Sequence, residues 1–517
     1  MLHDNSDVLP VIHQLFFKDT KVVTMNNHTY SLIVSPLDFP KNFSMVDIFA
    51  HFSDKPWAML LDSADSERQD GRFDIMVANP IATITTIGDS SSLWQHDTDQ
   101  NHESLVNPLT LIQNLLEKYM PSNQILSAGD HKLPFIAGAL GLFGYDLGKR
   151  FENLPNKNAN EYSTPDMAIG IYAWSIIKDN INQQFYLCYL EQYPHPSVKD
   201  IQQLVQCDNT PQSFNLSSQW QANMSQEQYT QKLSCISSYL QAGDCYQINL
   251  AQRFSAHYIG SEWQAYQRLR EANHAPFSAF IRLEKSVIMS ISPERFLSVN
   301  ERLVQTKPIK GTRLRSNDAE EDQQQIESLL SAEKDRAENL MIVDLLRNDL
   351  SKHCQPGSVD VPDLFKLESF AAVHHLVSTV TGKLKKTSNP ISLLQGAFPG
   401  GSITGAPKIR AMQIIDELEP NNRNIYCGSI GYLGIFDDMD TNICIRTILC
   451  ETSCEKTRET SREKSCEQSN NQKIMHCWAG GGIVLDSNAK DEYQESFDKV
   501  SKILPILSQC STLLKQS

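Results

Sequence analysis

No stretch of this sequence approaches the roughly 20 apolar residues that a membrane-spanning helix needs. The most apolar window, Phe135 to Tyr145, is short and broken by glycines, so no membrane partner is expected. Met1 to Leu15 carries Asp4 and Asp7 and lacks a basic stretch leading into an apolar one, which reads against a secretion signal. The 12 cysteines form no CxxC pair and no Cys/His spacing of the zinc type. Reduced thiols in a cytoplasmic protein are the expectation. Positive charge is also scarce: 46 basic residues face 61 acidic ones, for a net charge of −15. That argues against nucleic acid and anionic membranes, which attract basic surfaces.

What remains is an ordinary globular composition over 517 residues, enough for two or three domains or one large domain with additions. Short apolar strands alternate with turns up to about residue 210. Strand candidates are Trp57–Ser63, Phe73–Ala78, 169–177 and 184–190, with helical spacing over Leu105–Tyr119. Residues 205–222 are rich in Gln, Asn and Ser and read as a linker. A helix follows over 225–242, with Ser225 as N-cap and Gly243 as stop. Cys245–Phe254, Phe277–Arg282 and Ser286–Ile291 read as strands. Asn317–Lys352 holds the longest helical pattern, as one helix or as two with a break near Ala332. Strands are expected again around 424–436, 441–450 and 474–478, and a terminal helix over Ala489–Leu507. Residues 451–473 are charged and low in complexity, and read as a mobile hairpin loop without chemistry.

Four features carry chemistry. Lys310 stands between Pro308 and Gly311, which presents its amine on a turn instead of along a solvated face. Asp335 and Glu338 share one helical face, as do Glu492 and Glu495, with Lys499 one turn beyond. On spacing alone these pairs are best read as solvated faces, although two helices bearing carboxylates also suit magnesium, an ion that takes few carboxylates plus substrate oxygens. Pro399 to Lys408 is a glycine-rich turn opening a helix, a place for an anion, but without the spacing of a P-loop. Gly480-Gly481-Gly482 follows a strand and offers backbone amides.

Five segments resemble the chorismate-utilising enzymes, in family order over residues 225–507. They are Ile291-Ser292-Pro293-Glu294-Arg295-Phe296, Pro308-Ile309-Lys310-Gly311-Thr312, Ile342-Val343-Asp344-Leu345-Leu346-Arg347-Asn348-Asp349, the 400–408 run and Glu492-Tyr493-Gln494-Glu495. That family includes anthranilate synthase component I, aminodeoxychorismate synthase component I, isochorismate synthase and salicylate synthase. Residues 50–150 are also similar to the N-terminal part of its two amino-transferring members. The resemblance overturns the reading of solvated helix faces. Lysine at 310, where anthranilate synthases carry Ala, resembles the aminodeoxychorismate synthase pattern. Gln247 stands where the water-adding members place a base lysine, and an amide cannot take that proton.

The resemblance implies an α+β fold: a two-sheet β-sandwich with surrounding helices, like anthranilate synthase component I. Residues 1–210 would form an N-terminal region and 225–510 the chorismate-binding catalytic region, intertwined. The implied reaction converts chorismate and ammonia to 4-amino-4-deoxychorismate, for 4-aminobenzoate and folate synthesis. Its alternative is the anthranilate reaction. Lys310 would attack ring C2 while Glu294 protonates the departing 4-hydroxyl, and His375 would contact substrate or handle protons. Mg2+ is implied on Glu338 and Glu495, with Asp335 and Glu492 behind them. Gln247, Thr404, Tyr432, Arg446, Lys499 and the amides of Gly480, Gly481 and Gly482 would meet the substrate. His374 is expected to be structural. Leu60-Leu61-Asp62-Ser63 resembles a tryptophan-binding element with Asp for Glu, which makes Leu61, Asp62 and Ser63 candidate tryptophan contacts. No glutaminase triad is recognisable, so a glutamine amidotransferase subunit (component II) or free ammonia is the expected nitrogen source. A non-catalytic regulatory subunit would be marked by loss of Glu294, Glu338 or Glu495, and all three are present.

Overall fold

A computed structural model describes residues 29–509, apart from 41–42, 65–70, 128–132, 153, 156–159, 208–211, 317, 370–372 and 453–472. Two large sheets carry the fold, with helices outside, which is the α+β sandwich that the motifs implied. Pairing is antiparallel along both sheets except where Tyr30–Leu37 meets Ile125–Ser127. In the first sheet side chains alternate between two apolar surfaces. Met59, Ile75, Val77, Ile177 and Ile288 point into a core shared with Ile84, Leu140, Ile171, Leu297 and Ile430 of the second sheet. Leu60, Met76, Ile176, Phe280 and Met289 face the other way, onto Phe49, Trp263, Tyr266 and Leu507. Burial on both faces is why these strands read as unbroken apolar runs.

Segments before 210 and after 225 share both sheets. Met59–Asp62 pairs with Phe277–Arg282 in the first, and Gly138–Phe143 with Ser429–Gly434 in the second. The chain also changes sheet within runs expected to be single strands. The 169–177 candidate is two strands, Met167–Tyr172 in the second sheet and Trp174–Asp179 in the first. The 441–450 candidate is likewise Met439–Asn442 and Thr447–Thr452. Periodicity misses such crossings because both halves are buried. A third crossing joins Ser286–Ser292 to Arg295–Asn300. It lies against the 443–446 crossing, with Ile443 N 3.0 Å from Glu294 O and Ile291 N 3.1 Å from Arg446 O.

Helix signals hold where caps are explicit. Gln226–Ala242 starts after Ser225, whose side chain accepts from Gln228 N, and ends at left-handed Gly243. The long pattern is two helices, Ala319–Ser331 and Glu333–Ser351, broken at extended Ala332. The terminal helix, expected to be continuous, divides into Ala489–Asp498 and Leu504–Ser508. Pro505 sits in the first turn of the second piece, where its missing N–H costs nothing. Thr447–Thr452 and Lys473–Ile483 pair as flanks of a hairpin, while the loop expected between them falls at 453–472, outside the described residues. Among the described residues no helix is long and apolar enough to cross a membrane.

Candidate active site

Lys310 is set by a bulge and not by the turn expected from Pro308 and Gly311. The strand Ile309–Leu314 pairs with Val373–Lys383 through Ile309↔Val377 and Thr312↔His375, so Lys310 and Gly311 together face one residue. Gly311 has φ +77, and a Cβ there would lie 2.9 Å from Leu329 Cδ1 and 3.1 Å from Asp335. Only glycine fits the bulge, and the bulge turns the Lys310 amine inward. Its Nζ lies 2.9 Å from Glu338 Oε1 and donates to Ser402 O at 3.2 Å. Burial alone would lower its pKa, but Glu338, Glu294 and Glu495 together raise it above the ordinary lysine value, so at rest it is an ammonium.

Glu294 is buried at the crossing between sheets and accepts from Ser402 Oγ at 3.2 Å. Burial pushes its carboxyl up to about 7, against the pull of Lys310 and the Ser402 hydroxyl. Ser402 therefore touches the acid with its hydroxyl and the amine with its carbonyl. Thr404 had been the expected hydroxyl, yet its Oγ1 turns back onto Gly400 O and Gly401 O. Lys408, at the end of the same run, is half-buried and donates to Asp349 Oδ2 at 2.7 Å and Ala397 O at 2.8 Å, where it braces the loop. Opposite, Arg446 holds a left-handed backbone (φ 52) on the neighbouring crossing. Its half-buried guanidinium forms no hydrogen bond or ion pair among the described residues, and burial lowers its pKa while Glu294 opposes that shift.

The carboxylates gather along the glycine run. Gly480–Gly482 lies within the strand Lys473–Ile483, not after it, and pairs with Asn249–Ala251. Its glycines give clearance. A Cβ on Gly481 would lie 3.1 Å from both Glu492 Oε2 and Glu495 Oε1, and one on Gly482 would run into the Gln247 amide and sit 3.2 Å from Glu338 Oε1. Gln247 Nε2 donates to Glu338 Oε1 at 2.8 Å, while its buried Oε1 has no partner. Glu338 would be raised by burial, but Lys310 and Gln247 bring it below the ordinary glutamate value. Glu492 accepts from Ser487 Oγ at 2.6 Å through Oε1, and its buried Oε2 is unpartnered. Its pKa is raised by burial and by Glu495. Lys499 Nζ reaches Glu495 Oε1 at 2.6 Å and Gly480 O at 2.7 Å. Asp335 is engaged by Arg313 at 3.2 Å. His375 Nδ1 is 2.8 Å from Thr312 Oγ1, beside the bulge. His374 is tied to Ser369 and Asp322, a structural position.

Tyr432 departs from its expected place. It lines a separate cavity of about 170 Å3 between the sheets, with Leu61, Asp62, Ser63, Phe277 and Arg295. Its ring lies 5.2 Å from Phe135. The walls of that cavity are closed by paired charges. Arg270 Nε and Tyr266 OH donate to Asp62 Oδ2 at 2.6 and 2.9 Å, Ser63 donates to Asp74, and Arg295 pairs with Asp440. A larger cleft of about 520 Å3, walled by Trp57, Trp94 and Trp174, contains none of the predicted site residues.

Residues 59–505 match the family model described as chorismate binding enzyme. The chain is 49% identical over 457 residues to the aminodeoxychorismate synthase component 1 of Klebsiella aerogenes, covering 88% of this chain and 95% of that protein. It is 30% identical over 480 residues to the anthranilate synthase component 1 of Aquifex aeolicus, covering 89% and 91%. Anthranilate synthase component I from Streptococcus pneumoniae superposes with a TM-score of 0.68 at 29% identity, covering 85% of this chain and 93% of that one.

Proposed function

The chain belongs to the chorismate-binding enzymes, and from that premise we propose that it converts chorismate and ammonia to 4-amino-4-deoxychorismate, the precursor of 4-aminobenzoate. The observation that carries this reading is the join between nucleophile and acid. Lys310 Nζ lies 3.2 Å from the carbonyl of Ser402, whose hydroxyl lies 3.2 Å from Glu294. A carboxyl held near 7 is still about half protonated at neutral pH and can give its proton to a leaving hydroxyl.

Lys310 gives up to solvent the proton it holds at rest and attacks ring C2 as the neutral amine. The 4-hydroxyl departs as water with the Glu294 proton. Ammonia then adds at C4, the lysine–C2 bond breaks, and the net change replaces a C–O bond by a C–N bond. Two displacements put nitrogen at C4, whereas direct attack at C2 would lead toward the anthranilate-type product. Arg446, with no partner of its own, suits a bidentate hold on a substrate carboxylate. Lys499 and the Gln247 carbonyl complete the polar lining, and His375 stands behind the bulge.

Glu338 and Glu495 would hold Mg2+, with Asp335 and Glu492 outside them. The donors fit a hard cation: they are all oxygens, and Glu492 Oε2 is buried without a partner. Among the described residues no three such side chains form a metal site by themselves, so the ion would need substrate and water oxygens to complete its shell. Bound there, the ion supplies positive charge toward the ring carboxylate. A glutamine amidotransferase subunit is the proposed ammonia source, in keeping with relatives named as component 1, and the cytoplasm the proposed location. Tryptophan is assigned to the cavity beside Leu61, Asp62 and Ser63. Calorimetric titration of the full chain tests this, and absence of heat removes the assignment.

The decisive test of the activity is incubation with chorismate, magnesium and ammonium chloride. The expected product is converted to 4-aminobenzoate by an added lyase. Anthranilate as the main product would overturn the reading.

A further inference from the structure

We propose that Ser402 is a positioning residue that couples the proton of Glu294 to the amine of Lys310. The proposal rests on the acid and nucleophile roles assigned above. Its hydroxyl donates to Glu294 Oε1, a bond that favours the carboxylate left once the proton has gone. Its carbonyl accepts from Lys310 Nζ at 3.2 Å and from Asn249 Nδ2 at 3.3 Å. One peptide unit thus fixes both reacting groups against each other.

The turn that carries Ser402 is braced from behind. Arg423 is fully buried and pairs in bidentate fashion with Glu419, at 2.9 and 2.7 Å. The same guanidinium donates to Ile403 O and Asn249 O, each at 3.0 Å, and Glu419 Oε1 accepts from Ala251 N at 2.9 Å. A buried ion pair is costly unless its remaining hydrogen bonds are satisfied. Here they lock the turn after Ser402 to the strand that bears Gln247. Tyr145 and Tyr426 flank the guanidinium at 4.8 and 5.6 Å.

The charged and titratable groups facing Glu294 are Lys310, Lys499, Arg446 and Cys427, and none changes in Ser402→Ala. That variant keeps the carbonyl to Lys310 and removes only the donor to the acid. The test is the pH profile of kcat/KM for 4-amino-4-deoxychorismate formation by the full chain with ammonium. The ratio of variant to wild type cancels the ionisation of ammonia. We expect the basic limb of Ser402→Ala to move up by roughly one pH unit and kcat to fall about tenfold, with the chorismate KM little changed. Ser402→Thr, which restores a hydroxyl, should return the limb to its wild-type position, and Ser402→Cys should fall between. These two variants keep the comparison open if the Ala variant melts early. An unshifted limb with the expected product overturns the proposal alone. A wild-type product other than 4-amino-4-deoxychorismate overturns the functional reading beneath it.

Discussion

Two polar clusters in this molecule are built from the same residue types and end in opposite states. Around Asp62 each carboxylate has a hydrogen-bond partner: Arg270 at 2.6 Å and Tyr266 at 2.9 Å for Asp62, Ser63 for Asp74 and Arg295 for Asp440. Around Lys310 the partnering is incomplete. Among the described residues Arg446 has no hydrogen bond or ion pair, Gln247 Oε1 and Glu492 Oε2 are buried without a hydrogen bond, and Glu294 retains its proton to about 7. A buried polar group left unsatisfied costs stability unless something else comes to satisfy it. The first cluster therefore holds the two halves of the chain together, and the second is held ready for a ligand rich in carboxylates. Each substitution below tests that contrast, because it should damage mainly stability or mainly turnover.

The largest effect is expected at Lys310. Lys310→Ala should lower the rate of 4-amino-4-deoxychorismate formation by about three orders of magnitude or more, since it removes the nucleophile itself. Losing the 2.9 Å contact with Glu338 should lower its denaturant midpoint, but less than Asp62→Ala does, because Glu338 is more exposed and keeps the Gln247 hydrogen bond. A variant that kept a tenth of the rate would show that Lys310 is not the attacking group. Asp62→Ala should do the reverse. It leaves Arg270 buried with one fewer anion and should cost about 3–5 kcal/mol in urea unfolding, while any protein that remains folded turns over normally with ammonium. Normal stability in that variant would mean that the cluster does not hold the halves together.

How much of this contrast was legible in the sequence depends on what each position asks of its neighbours. Ser225, Gly243 and Ala332 declare helix ends by local chemistry, and the structure keeps them. Lys310 and Glu294 were singled out because they stand in long motifs, and Glu338 because it shares a helix face with Asp335. The bulge that aims Lys310 was not, because Gly311 only permits it, and Leu329 and Asp335 across the bulge make it necessary. The same limit explains the choice between two hydroxyls two residues apart. Ser402 and Thr404 look alike in Gly-Gly-Ser-Ile-Thr, and only the tertiary path shows that Ser402 meets the acid while Thr404 closes its own turn. Tyr432 was misplaced for a related reason: it lies on a strand buried on both faces, and the sequence does not say which face meets which cavity.

Arg446→Lys sharpens the contrast with a smaller effect. A lysine keeps the charge and loses the fork, so the chorismate KM should rise about tenfold, the equivalent of one strong charge-assisted hydrogen bond. Because Arg446 has no hydrogen bond or ion pair to lose among the described residues, the melting temperature should hold or rise. A clear fall in melting temperature would place Arg446 among the structural charges instead.

The smallest effect, and the most specific, is the pH dependence of stability contributed by Glu294. Its folded pKa of about 7 lies above the ordinary glutamate value, with burial as the main cause. Between those two values the folded state holds a proton that the unfolded state has released. Raising the pH through this window therefore favours unfolding, and the loss levels off above about 7. Glu294→Gln has no proton to lose and should not show this decline. Denaturant midpoints of the two proteins should diverge as the pH is lowered from 8 to 5, with wild type gaining stability relative to Gln. Parallel curves would mean that Glu294 ionises as an ordinary surface carboxylate, and the acid that protonates the leaving hydroxyl would have to be sought elsewhere in the site.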